Sequence, residues 1–384
     1  MKKHVWSVLA TICILALFAV PAMAQETVDK TKLKEEIKHE LKEEMKAEQG
    51  DVWGWIQQHI HFGGLIEFGG AWQDVEFKDG SSEDESDLAL TTVALIGEVE
   101  INEWVKADVV FLYEEPTFGD ETSLDVDEAI ITIGNTERHP LYFSGGVMYV
   151  PFGALLTHFP DDPVIDQPLT LLLGETREKA VLLGLEHQGF SVSGYLFSGD
   201  VSEQGDSQQI DDYGFDAHYA YDDEAGFDVL AGASYISNIA ESDGLEEFVE
   251  EVQDYVPGFD VYLHLGFSGF FIDGEYMAAT DDFQPTEISS GVEGMEGAQP
   301  AVWNVEVGYI FDWGRNLEIV FKYAGSDEAD QLGFPEERYG ICLNQEIFEP
   351  VIVSLAYLND SYDDADVDGR DSRDVVYGQI TVEF

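Results

Sequence analysis

The chain has 384 residues, of which 78 are Asp or Glu and 18 are Lys or Arg, for a formal charge of −60 at neutral pH; it holds two cysteines. No basic patch is available to meet phosphates, which excludes nucleic-acid binding. Two cysteines, one inside the leader described next, leave no internal disulfide framework and no Cys-based metal site, so stability must come from architecture.

Residues 1–24 read as a signal peptide. Lys2 and Lys3 precede an apolar run from Val8 to Val20, followed by the small-x-small triplet Ala22-Met23-Ala24. The alternative is a retained membrane anchor, which the shortness of the run argues against. Cleavage after Ala24 removes Cys13 and leaves Cys342 alone. Residues 25–50 predict a periplasmic amphipathic or coiled-coil helix. Leu33, Ile37, Leu41 and Met45 recur every four residues with Glu and Lys between them, a stripe that wants a partner more than it suits a solvated helix.

From Ile60 the hydrophobic period changes to two, and residues 51–384 read as a β-barrel. Sixteen strands are expected over 60–72, 88–101, 104–113, 125–134, 140–149, 178–187, 190–198, 211–221, 226–236, 258–267, 270–280, 301–311, 316–325, 338–347, 350–358 and 374–384. The connections alternate between short turns, such as Gln188-Gly189 and Ser268-Gly269, and long loops, beginning with 73–87. That asymmetry belongs to outer-membrane barrels with periplasmic turns and extracellular loops. Parity agrees: in 301–311 Trp303, Val305, Val307, Tyr309 and Phe311 share one face, against Asn304 and Glu306. In the last strand Val376, Ile380, Val382 and Phe384 share one face, which lipid can cover, and Phe384 is the residue expected to serve membrane assembly through the barrel-assembly machinery. The expected fold is therefore all-β, a sixteen-stranded antiparallel transmembrane barrel with a short N-terminal α-helix. A soluble sandwich or solenoid would also alternate, but it would need a separate core that the sequence does not supply.

The opposite parity is acidic. Glu98, Glu100, Asp108, Asp216, Asp228, Asp260, Asp273, Glu275, Glu306 and Glu318 are the expected lumen-lining residues, with few cations beyond Lys106 and Lys322. A water-filled pore lined this way attracts cations and repels anions; acid enrichment for solubility in a salty habitat gives the same composition. The longest loop, 151–177, follows the fifth strand and is partly apolar, so inward packing is expected, with Asp161, Asp162 and Asp166 as constriction groups. DADVDG at 364–369 has the opening Asp spacing of an EF-hand, but Val375 stands where the closing Glu should be, and chance explains it in so acidic a loop. No G-x-S-x-G, H-E-x-x-H or P-loop occurs, and His158 and His187 have no identifiable partner, so no catalytic residues, metal or cofactor are expected.

INEWVKADVVFLYEE at 101–115, LDVDEAIITIGN at 124–135, PLYFSGGVMYVPFG at 140–153 and LGETREKAVLLGLEHQGF at 173–190 resemble the legiobactin-uptake (LbtU-type) siderophore porins. The resemblance covers roughly 88–200 and implies an outer-membrane barrel, preceded by a periplasmic helix, that takes part in ferric-siderophore acquisition. The resulting expectation is a porin in contact with outer-membrane lipid that passes ferric siderophore or small solutes. The alternatives are a general cation-selective porin and a structural or adhesion barrel with acidic cation-binding loops. A homotrimer is expected by analogy with sixteen-stranded porins.

Overall fold

The computed structural model describes residues 56, 58–119, 122–154, 162–205, 209–223, 225–246, 248–249, 251–290, 296–312, 315–363 and 366–384. The expected signal peptide and helix therefore lie outside the described residues, as does Asp161. Sixteen strands close into one antiparallel barrel, each paired with its neighbours in sequence. They are β1 Ile60–Phe77, β2 Ser82–Asn102, β3 Val105–Glu114, β4 Ser123–Asn135, β5 His139–Tyr149, β6 Arg177–His187, β7 Phe190–Phe197 and β8 Asp212–Asp222. The second half is β9 Phe227–Ile236, β10 Gly258–Phe267, β11 Phe270–Ala279, β12 Ala301–Phe311, β13 Leu317–Asp327, β14 Glu337–Phe348, β15 Val351–Ser361 and β16 Arg370–Glu383. β16 pairs with β1 from Leu65↔Glu383 to Phe77↔Arg370, and Phe384 exchanges both backbone hydrogen bonds with Gly64, at 2.8 and 2.9 Å. Closure leaves no unpaired strand edge, the condition for backbone to cross hydrocarbon.

The alternation places apolar side chains outside. Leu183, Phe215, Phe267, Phe321 and Leu355 are each more than half exposed on the outer wall, as a lipid-facing band requires. The short turns follow from local chemistry. Gln188-Gly189 and Ser268-Gly269 both have positive φ at both positions, the conformation of a two-residue type I′ hairpin, whose twist matches that of the flanking strands.

One expected loop is corrected. Residues 73–87 are mostly strand, because β1 runs to Phe77, β2 starts at Ser82, and 78–81 form a tight turn. Glu83, Asp84 and Glu85 keep the ladder with Val75, Asp74 and Gln73. Beyond the lipid band neither face touches hydrocarbon, so the apolar alternation disappears while the backbone pairing continues.

On the inner wall, Tyr142, Tyr195 and Tyr262 each lie across a glycine of the adjacent strand. A Cβ on Gly184, Gly214 or Gly232 would stand 2.1, 2.2 or 2.2 Å from the respective ring carbon. The missing Cβ lets each ring lie flat against the wall. Gly214→Ala is expected to push the Tyr195 ring off its seat and destabilise the barrel by about 1–3 kcal/mol. The check is the temperature at which the folded barrel loses its compact migration on a detergent gel; an unchanged midpoint refutes this reading.

Candidate functional site: a loop-filled acidic lumen

The described residues of the connection 150–176, which follows β5, fold into the barrel. Val150 and Phe152 are fully buried, and a six-residue helix α1, Leu169–Gly174, packs Leu169 and Leu173 into an apolar cluster. That cluster also takes Ile239, Leu245 and Val256 from 237–257, Phe283 and Ile288 from 280–300, and Tyr195, Ile236, Met277 and Val302 from the inner wall. A second cluster seats Val164 and Ile165 on Val320, Cys342, Leu358 and Val375, inner-face residues of β13 to β16. Neither cluster draws a residue from β2 or β3. Apolar loop residues thus find in the lumen the burial that water at the rim would deny them.

Polar groups fix the loop's position. Gly153 N donates to Ser234 Oγ at 2.9 Å, Ala154 N to Glu275 Oε1 at 2.6 Å, and the Thr170 hydroxyl to the other Glu275 oxygen. At the far wall Lys322 Nζ lies 2.7 Å from Asp166 Oδ1, 3.1 Å from Glu306 Oε1 and 3.7 Å from Asp162 Oδ2. Arg338 Nη1 donates to Asp166 Oδ2 at 2.9 Å, while its Nε and Nη2 donate to Asp360 at 2.7 and 3.1 Å. Arg373 Nη2 completes the chain on Asp360 Oδ2 at 2.6 Å. Lys322, Asp162, Glu306 and Asp360 are all buried. A network with this many short contacts can offset the cost of taking its charges out of water, and losing one member would leave the others uncompensated.

This placement corrects two sequence expectations. Asp162 and Asp166 do not face an aqueous constriction; they are buried in the clasp that holds the loop to the wall. Nor are the ten expected lumen acids one continuous lining. Asp216, Asp260 and Glu306 are buried, and Glu275 is taken up by the loop. Asp216 accepts from Tyr262 OH at 2.9 Å and pairs with His218 Nδ1 at 2.7 Å, whereas neither Asp260 oxygen has a side-chain partner among the described residues. Glu98, Asp108, Asp228, Asp273 and Glu318 are half-buried and Glu100 is exposed. Glu98 stands opposite Asp108, which lies 3.9 Å from Lys106 Nζ. Sequence reasoning missed Arg338, Asp360 and Arg373, although a strand drawn from Arg370 would have put Arg373 on the parity of Val375 and Tyr377.

A cavity of about 450 Å³ opens beneath the loop, with Asp228, His264, Asp273, Asn304 and Glu318 on its wall and Ala154 and Pro163 of the loop at its border. His264 bridges three strands, with Nε2 2.6 Å from Asp228 Oδ2 and Nδ1 2.5 Å from Asp273 Oδ1. Only a ring protonated on both nitrogens donates to both carboxylates at once. In the connection between β15 and β16, Asp366 of the EF-hand-like stretch is taken by Arg370, whose Nη2 lies 2.8 Å from Asp366 Oδ1 and whose guanidinium stacks 4.1 Å from the Tyr362 ring centroid; Asp364 lies outside the described residues. An arginine thus holds the Asp366 carboxylate that a calcium ion would need.

No protein-family model matches the chain. It is 28% identical over 270 residues to a UPF0422 protein of Coxiella burnetii, covering 68% of this chain and 56% of that protein. It is 25% identical over 307 residues to a UPF0422 protein of Legionella pneumophila, covering 73% and 55%. The chain thus matches little more than half the length of these relatives. Among solved structures it resembles the outer-membrane channel DcaP of Acinetobacter baumannii, with a TM-score of 0.54 at 16% identity over 85% of this chain and 97% of that one. It also resembles OprB of Pseudomonas putida, with a TM-score of 0.58 at 11% identity over 87% and 96%. The likeness is one of fold, and with the apolar outer band it identifies a sixteen-stranded porin-type barrel of the bacterial outer membrane.

Proposed function

We propose that this barrel is a passive diffusion channel that favours small cations and neutral solutes over anions. The observation that carries this reading is the lumen itself. The inward loop narrows it, and the clasp commits Lys322, Arg338 and Arg373 to carboxylates, so the half-exposed acids Glu98, Glu100, Asp108, Asp228, Asp273 and Glu318 set the sign of the remaining field. In a planar bilayer under a salt gradient, the reversal potential should take the sign of cation preference, and neutralising Asp108 and Glu98 should shrink it. A barrel that carries no current would return the protein to a structural role.

Ferric-siderophore uptake, which the sequence resemblance implies, is the finer reading. A polycarboxylate complex would run against this field, and among the described residues the lumen cations that could receive it are already paired. An anion-selective reversal potential in the same bilayer experiment would favour the siderophore over the cation reading.

A further inference from the structure

The geometry points to the cavity beneath the inward loop as a binding subsite for a small organic cation, an ammonium or guanidinium group carried on an apolar body. The inference deepens the channel reading, on which it rests for the route by which a ligand arrives. Its foundation is a mismatch between donors and acceptors on the cavity wall. Each side-chain donor group identified there among the described residues already serves a carboxylate: Tyr262 OH serves Asp216, one N–H of Asn304 Nδ2 serves Glu306 at 3.1 Å, and the two His264 nitrogens serve Asp228 and Asp273. The acceptors outnumber them. Beside Glu275, whose two oxygens the loop already occupies, three carboxylates, Asp228, Asp273 and Glu318, border the cavity against the single histidine. Asn304, on the cavity wall, is 3% exposed, and among the described residues its Oδ1 has no hydrogen-bond partner. A buried acceptor left without a donor is costly, and a ligand that brings N–H groups relieves that cost.

The charge balance points the same way. Protonated His264 neutralises one carboxylate of the pair it bridges, and the Ala154 and Thr170 donors to Glu275 are neutral, as is Asn344 Nδ2, which donates to Glu318 Oε2 at 2.7 Å. Net negative charge therefore remains for an incoming cation. The rest of the wall is apolar, with Leu230 and Phe271 bordering the cavity and Phe271 stacked beside His264 at 6.4 Å between ring centroids. An aromatic face beside carboxylates suits a cation with an apolar body, and a volume near 450 Å³ suits a small molecule. Among the described residues an anion would meet more carboxylates than cations on this wall.

The test uses the full chain in detergent micelles and three probes of one shape: phenethylamine, neutral 2-phenylethanol and anionic phenylacetate, titrated by calorimetry at pH 7. The amine is expected to bind saturably and at least about tenfold more tightly than the alcohol, with no binding of the acid. Glu318→Gln and Asn304→Leu are each expected to weaken amine binding about tenfold while the barrel keeps its folded migration on a detergent gel. Equal affinity for the three probes, or no saturable amine binding to the unmodified protein, overturns the inference whatever the variants do. Bilayer currents separate it from the parent reading: a conducting barrel indifferent to the amine loses the subsite and keeps the channel, while a silent barrel that binds the amine does the reverse.

Discussion

Lys322→Met should convert the narrowed lumen into a wider one. The ammonium of Lys322 is the shared partner of Asp162, Asp166 and Glu306, and all four groups are buried where β12 and β13 meet the inward loop. Methionine keeps most of the side-chain volume and removes the charge, leaving Asp162 and Glu306 without a cation and Asp166 with Arg338 alone. Taking one partner from a buried ion pair costs about 3–5 kcal/mol, because the remaining charge stays desolvated and uncompensated. The loop can escape that cost by letting 162–166 swing off the wall, since water at the rim solvates both loop carboxylates. An energy change of that size multiplies the undocked population by roughly a hundredfold or more. The variant should therefore show larger single-channel conductance and new proteolytic cleavage within 150–176. Adding Asp162→Asn and Glu306→Gln to Lys322→Met should restore much of the docked state by removing the orphaned charges. Wild-type conductance and unchanged protection of the loop in the single variant would mean that the clasp does not hold the lumen narrow.

Most of the barrel was legible because the lipid band writes itself into the sequence one residue in two. β10 and β12 fall on the expected residues, since Val261, Leu263 and Phe267, or Val305 and Val307, have to face hydrocarbon while Asp260 and Glu306 cannot. Legibility fails where the lipid ends. The upper parts of β1, β2, β15 and β16 are polar on both faces and read as loop, which hid Asp360 and Arg373 in an expected connection. The inward course of 150–176 could be read from its apolar content, but the fate of Asp162 and Asp166 could not. Whether a carboxylate meets water or an ion pair depends on Lys322 and Arg338, more than 150 positions away in the chain. His264 was equally opaque, because its bridge needs Asp228 and Asp273 on two different neighbouring strands.

Acidic pH should tighten the loop packing and alkaline pH should loosen it. Glu175 ends α1 and its carbonyl accepts from Asp243 N at 2.8 Å, joining the 150–176 loop to the short helix α2, Asp243–Glu246, of the 237–257 loop. Burial, with Asp243, Glu114 and Asp127 nearby, pushes the Glu175 carboxyl up from 4.5 to about 8, against the weaker opposing pull of Arg177. Glu241, which accepts from Asp200 N and Val201 N of the neighbouring loop, is likewise pushed to about 8 by burial and by Asp212. Asp243 rises to about 6, chiefly through burial. The sign follows from proton linkage. These acids hold their protons more tightly in the docked loops than in released ones, so docking has its full strength below about 4, and that strength is lost progressively as pH rises towards 8. A tenfold difference in proton affinity between docked and released states corresponds to about 1.4 kcal/mol, so the combined change is on the order of several kcal/mol. Hydrogen exchange in 150–176 and 237–257, corrected for intrinsic rates, should therefore quicken from pH 5 to pH 8 and then level off. Glu175→Gln with Glu241→Gln should flatten most of that rise, because a neutral amide keeps the docked state at every pH. Slower exchange at pH 8 than at pH 5 would reverse the linkage and remove these carboxyls as the groups that set how firmly the lumen is filled.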